Sequence, residues 1–237
     1  MITDLKKYLI GIAIGIRYRA NFSIEDQLGK IVDQILYSKN SFFNSSVFPL
    51  VYNNLNEKNL VNEKNDDHLT INTSNIVLEI NFGSTFQIDD CETIYDNFKN
   101  QIIDGILKTY KITEINRIGI INRYLFKIED LADSFINKTI GSTLEGINDI
   151  NLRFSKKFTS EDSLSQKDVN DYFNAIFNII KRADRKELFM AIDYQKYFDP
   201  FLPSSSEIDF FKFVERSNAF NSKNYLQWLN KNYGELK

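Results

Sequence analysis

The chain has 237 residues, 43% of them hydrophobic and 26% charged, enough for one large domain or two small ones with real cores. Lys and Arg number 29 against 32 Asp and Glu, and a formal charge of −3 disfavours broad binding to nucleic-acid phosphates. A single His, a single Cys and no glycine-rich or metal-spaced cluster leave no recognisable set of catalytic, metal or cofactor ligands, so the inventory points away from an enzyme.

The longest apolar stretch, residues 8–16, is broken by Gly11 and Gly15 and flanked by Lys6, Lys7, Arg17 and Arg19, far short of a membrane span. Density in β-branched residues predicts a strand over 8–19 that is buried on both faces. Ser23 and Asp26 resemble a capping box, and Ile24, Leu28, Ile31 and Ile35 at helical spacing predict a helix over 24–37. A strand is expected at 47–51. The tract 53–67, rich in Asn, Glu, Lys and Asp, reads as a loop. Strands follow at 69–72 and 76–82 around the turn at Thr73, Ser74 and Asn75.

Asp89 or Asp90 is expected to cap a helix over 92–110 whose stripe is Tyr95, Phe98, Ile102, Ile106 and Tyr110. Residues 116–127 alternate. Ile118, Ile120, Asn122, Tyr124 and Phe126 share one face, and Arg117, Gly119, Ile121, Arg123 and Leu125 the other. A short helix at 128–137 and a boundary at 141–146 are expected next, then a strand at 147–158. Residues 168–182 fit a helix or the first arm of a hairpin with 187–198, and the hairpin is preferred for its aromatic and β-branched content. Pro200 and Pro203 should end that element. Ser206 and Asp209 start a helix through 218, and 222–233 is a last helix presenting Tyr225, Trp228 and Leu229. The order implies an α+β fold with mixed or antiparallel sheets, helices packed on one face, and two subdomains, 1–140 and 141–237.

Residues 69–80, the helix start at 95–98, Arg117-Ile118-Gly119-Ile120 and Met190-Ala191-Ile192-Asp193-Tyr194 with the paired terminal helices resemble a sporadically distributed bacterial family of unknown function. Its members carry an Arg-Ile-Gly-apolar-Arg-Tyr strand after an aromatic-containing helix. Here the Arg123-Tyr124 pair comes two positions later, which keeps the same strand faces. The resemblance implies an accessory, mobile or defence-associated protein and no catalytic residue.

Four arginines on otherwise apolar strand segments, Arg17, Arg19, Arg117 and Arg123, must each find an anion, a carbonyl, a carboxylate or water. Arg17, Arg117 and Arg123, with Tyr124, are the candidate ligand residues, although pairing with a nearby Asp or Glu is the plainer outcome. His68 beside Asp66 and Asp67 reads as a solvated loop end, and Cys91 as a structural thiol with no disulfide partner, in keeping with a reducing cytoplasm. Glu79, Asp193 and Glu187 are the carboxylates a metal-dependent nuclease would have to bring together. Phe210, Phe211, Phe213, Phe220 and Trp228 fill a core or anchor a partner, with Phe213 falling off the helical stripe.

Together these features favour a non-catalytic cytoplasmic protein that binds a protein partner, encoded nearby, as an accessory component of a bacterial defence or toxin-linked system. It needs no cofactor or membrane and is compatible with homo-oligomers. The alternative is a nucleotide or nucleic-acid binding protein, or a metal-dependent nuclease, built around an arginine-lined groove.

Overall fold

The computed structural model describes residues 4–37, 50–54, 57–62, 66–82, 90–127, 149–159, 170–181 and 187–233. The apolar first stretch is β1, Leu9–Tyr18. It pairs with β5, Asn75–Asn81, on one side and β6, Ile115–Phe126, on the other. Outside β5 lie β4, Asp67–Asn72, β3, Glu57–Asn62, and β2, Leu50–Asn54; outside β6 lie β9, Leu188–Leu202, β8, Tyr172–Lys181, and β7, Ile150–Phe158. The nine strands form one sheet in the order β2-β3-β4-β5-β1-β6-β9-β8-β7, antiparallel throughout.

An α+β fold with an antiparallel sheet is what the alternating patterns and hairpin turns predict. Both expected parts of the chain feed the same sheet, joined where β6 pairs with β9. The boundary placed between residues 140 and 141 lies outside the described residues, as does the helix expected at 128–137.

Register makes the sheet two-faced. Ile14, Ile120, Tyr194 and Ala175 stand side by side across β1, β6, β9 and β8, with Leu78 beyond them on β5, and all are buried. Helices cover this side. Helix α1, Ser23–Leu36, buries Ile24, Leu28, Ile31, Val32 and Ile35. Helix α2, Asp90–Asn97, continues as a π-helical segment, Phe98–Leu107. Helix α3, Phe210–Ala219, runs on through a π-helical segment, Phe220–Tyr225, into α4, Leu226–Tyr233. Rings lock the layers together, with Tyr194 lying 5.6 Å from Phe213 and 5.3 Å from Phe220, and Phe177 5.3 Å from Tyr225. Burial pushes the Tyr194 phenol up to about 12.

Several local expectations are corrected. The polar tract 53–67 contains β3, because cross-strand partners on both sides satisfy its backbone and one side chain, Leu60, is fully buried. Ser23 is not the cap of α1. Instead Asn21 Oδ1 accepts from the Ser23 amide and hydroxyl at 3.1 and 2.7 Å. At α3 the cap is Asp209, which accepts from the Lys212 amide at 3.2 Å, whereas Ser206 lies in a separate 3₁₀ turn. Pro200 does not end β9. The strand continues to Leu202 through a register shift opposite Ile115 and Arg117, a place where a missing N–H is tolerated. The preferred hairpin of 168–182 with 187–198 is present as β8 and β9, and 181 and 188 pair at its near end.

Aromatic positions on α3 also differ. Phe210, Phe213 and Phe220 are buried, and Phe211 is the exposed one at 50%. The sheet turns the helix so that 210, 213, 214 and 217 face inward, which leaves 211 outside. Among the described residues, no helix is long and apolar enough to cross a membrane.

Candidate functional site

On the side of the sheet away from the helices, alternation places Arg17, Arg117 and Arg123 together. Arg17 and Arg117 are direct cross-strand partners on β1 and β6. Arg123 lies six residues along β6, about 20 Å away, opposite Gly11. Between the two rows Gly15 stands opposite Gly119, and Ala13 opposite Ile121.

The arginine pair continues across the sheet as an ordered polar row. Tyr197 on β9 faces Arg117, and Tyr172 on β8 faces Tyr197. The two phenol rings stack at 4.7 Å with planes 8° apart. Lys157 Nζ lies 3.7 Å from the Tyr172 ring centre, and the Arg117 guanidinium 5.7 Å from that of Tyr197, so cations cap both ends of the stack. Arg117 Nη1 donates to the Tyr197 hydroxyl at 3.3 Å, which donates to Gln195 Oε1 at 2.9 Å, and Gln195 Nε2 donates to Asp193. Burial raises the Asp193 carboxyl above its ordinary range, opposed by the Gln195 hydrogen bond and by the charges of Arg117 and Arg153.

Charge on this face is unevenly compensated. Arg123 is ion-paired with Glu79 and Arg19 with Glu114 at 2.9 Å, the plainer outcome for those two. Arg17 and Arg153 are exposed, and neither side chain has a hydrogen-bond or ion-pair partner among the described residues. Arg153 sits in the Arg123 row, reached through Ala191 and Asn178. Register shifts on both sides of β6 near Asn116 bend the sheet beside the arginine pair.

Tyr124 is not part of this group. Its neighbours in register turn it to the helix side, where it is buried and lines a cavity of about 570 Å³ between the sheet, α2, α3 and the chain's first turn. Burial pushes its phenol up, as it does that of Tyr95, which lines the same cavity. Cys91, partly exposed and in no disulfide, lines the same cavity.

The remaining candidates stay apart. His68 Nε2 is 2.8 Å from Asp66 Oδ1 in an exposed local pair. Glu79 and Asp193 share the arginine side but are separated by β1 and β6, about 14 Å, and Glu187 lies just before β9. Among the described residues no three His, Cys, Asp or Glu side chains are placed to hold one metal ion.

Sequence reasoning missed Tyr172, Tyr197, Arg153 and Lys157, whose membership depends on which strands are neighbours. Asn122 did carry a visible signal as the polar member of an apolar stripe, and it is buried in the cavity wall. No protein-family model matches the chain, and no curated protein matches it.

Proposed function

We propose that this is a non-catalytic binding protein whose sheet face opposite the described helices takes a polyanion, with single-stranded nucleic acid as the ligand class. The observation that carries this reading is the Arg17–Arg117 cross-strand pair. Like charges directly opposite one another destabilise a ladder, and a phosphate held between two guanidiniums reverses the sign of that interaction. Arg153, in the Arg123 row, supplies a second exposed charge without a hydrogen-bond or ion-pair partner among the described residues, at a spacing that suits an extended chain.

An acidic protein is the second reading, in keeping with the accessory, defence-linked role that the bacterial family resemblance implies. It is favoured by the Tyr172–Tyr197 stack, whose outer faces are already taken by Lys157 and Arg117 and so leave bases no platform.

Fluorescence anisotropy with a labelled oligothymidylate about 20 nucleotides long tests the proposal. Binding should weaken with salt, with a log–log slope of about −2 if three arginines each neutralise one phosphate. Replacing Arg17 and Arg117 together by Ala should cost tenfold or more in affinity without lowering Tm. An oligonucleotide that does not bind at about 50 mM salt, or binds the double variant equally well, would refute the nucleic-acid reading.

A further inference from the structure

The cavity on the opposite side of the sheet combines three features that point to a ligand. Its inner wall holds two amides that are almost wholly buried, Asn122 at 3% exposure and Asn221 at 4%. Asn122 Nδ2, and both Nδ2 and Oδ1 of Asn221, find no hydrogen-bond partner among the described residues. Leaving such atoms dry and unpaired is costly, and two instances on one cavity are not what a closed core tolerates. Asn221 is held there by the π-helical segment Phe220–Tyr225, a local widening that recurs at functional sites.

The walls are aromatic and the mouth is acidic. Tyr95 and Tyr124 line the same cavity as the amides, as does Phe211, the half-exposed ring of α3. Four carboxylates, Asp4, Glu92, Asp96 and Glu215, line the opening against one lysine, Lys6. A phosphate or carboxylate would meet like charge there, whereas a cation would be drawn in. A volume of about 570 Å³ suits a small organic molecule.

We propose that this cavity binds a small planar heteroaromatic cation carrying an amide-type edge. The edge supplies an acceptor to the two Asn Nδ2 groups and a donor to Asn221 Oδ1. The flat body lies between Tyr95 and Tyr124, and the positive charge sits toward the carboxylates. This site is independent of the arginine face, which lies across the sheet and selects the opposite charge.

The probe is 1-methylnicotinamide, a heteroaromatic cation with one carboxamide, titrated into the full chain by isothermal calorimetry. Nicotinate, flat but anionic and without the amide donor, serves as the control. The cation should bind and nicotinate should bind at least tenfold more weakly. Asn221→Leu should lose tenfold or more in affinity while Tm is held or raised, because the variant removes unpaired polar atoms. Glu215→Gln, an exposed change at the mouth, should weaken the cation severalfold with the fold intact, and it reads the site even if Asn221→Leu does not fold. No heat from 1-methylnicotinamide at millimolar concentration, equal binding of nicotinate, or unchanged affinity in Glu215→Gln would each overturn the proposal.

Discussion

Lys196 Nζ lies 2.7 Å from Asp171 Oδ2, an ion pair almost wholly removed from water, with side chains 2% and 7% exposed. By register Lys196 belongs to the helix-covered side, between Ile118 and Phe173, and its ammonium lies 4.8 Å from the Phe198 ring centre. Asp171 also accepts from the Asp199 amide at 2.7 Å, tying the start of β8 to the far end of β9. Removing one partner strands the other charge in a low-dielectric site, so Asp171→Asn should destabilise by about 3–5 kcal/mol. The joint change Asp171→Leu with Lys196→Met should recover most of that loss. Urea unfolding of the three variants gives the comparison, and a single variant as stable as the parent would contradict it.

Gly11 and Gly15 both sit on β1, yet substitution should separate them. A Cβ at Gly11 would come within 2.8 Å of the Ile80 carbonyl oxygen, a backbone atom that cannot turn aside. At Gly15 the nearest atom is Val77 Cγ2 at 3.4 Å, an ordinary contact. Gly11→Ala should therefore cost about 1–3 kcal/mol, while Gly15→Ala should be close to neutral or slightly stabilising. Melting temperatures of the two variants, measured side by side, test the contrast.

Asp193 makes stability depend on pH. Because its folded carboxyl titrates above the ordinary value of 3.8, the folded chain holds this proton more tightly than the unfolded one. The favourable contribution is fully present below the unfolded value and is lost as pH rises through the folded one. Asp193→Asn should accordingly raise Tm at about pH 7, and the gain should vanish toward about pH 3. The same change frees Arg117 and Arg153 from a neighbouring negative charge and should tighten oligonucleotide binding. A lower Tm at neutral pH would show that ion pairing outweighs burial at this site.

Phe211 and Phe213 lie two positions apart on α3 and should respond oppositely. Phe213 is 1% exposed and packs on Tyr194, so Phe213→Ala should cost about 3–5 kcal/mol. Phe211 is 50% exposed and lines the cavity, and Phe211→Ser should change stability by less than about 0.5 kcal/mol. If the cavity binds the aromatic cation, Phe211→Ser weakens the probe while Phe213→Ala unfolds the chain at lower denaturant.

Much of the fold was legible because period carries burial. The alternation over 116–127 already divided Arg117 and Arg123 from Ile118, Ile120 and Tyr124, and the structure keeps that division. The turn at 73–75 was equally clear, with Asn72 Oδ1 accepting from the Ser74 and Asn75 amides at 2.9 Å. By contrast β3 was hidden, since a polar edge-side strand with one buried leucine has the composition of a loop. The π-helical segments were hidden too, because the spacing of Phe98, Ile102 and Ile106 reads equally well as an α-helical stripe.

The amino-acid order by itself determined which residues share a strand face, since successive side chains must point to opposite sides. It thereby put Arg17 on one side of its strand, and Arg117 and Arg123 together on one side of theirs. Tertiary structure alone decided which strands are neighbours. Pairing of β1 with β6 sets Arg17 against Arg117, pairing of β8 with β9 stacks Tyr172 on Tyr197, and helix docking brings Asn122 and Asn221 to one cavity. Those meetings join residues as many as 100 positions apart in the chain, and no local propensity reaches that far: only burial of the shared apolar face selects them.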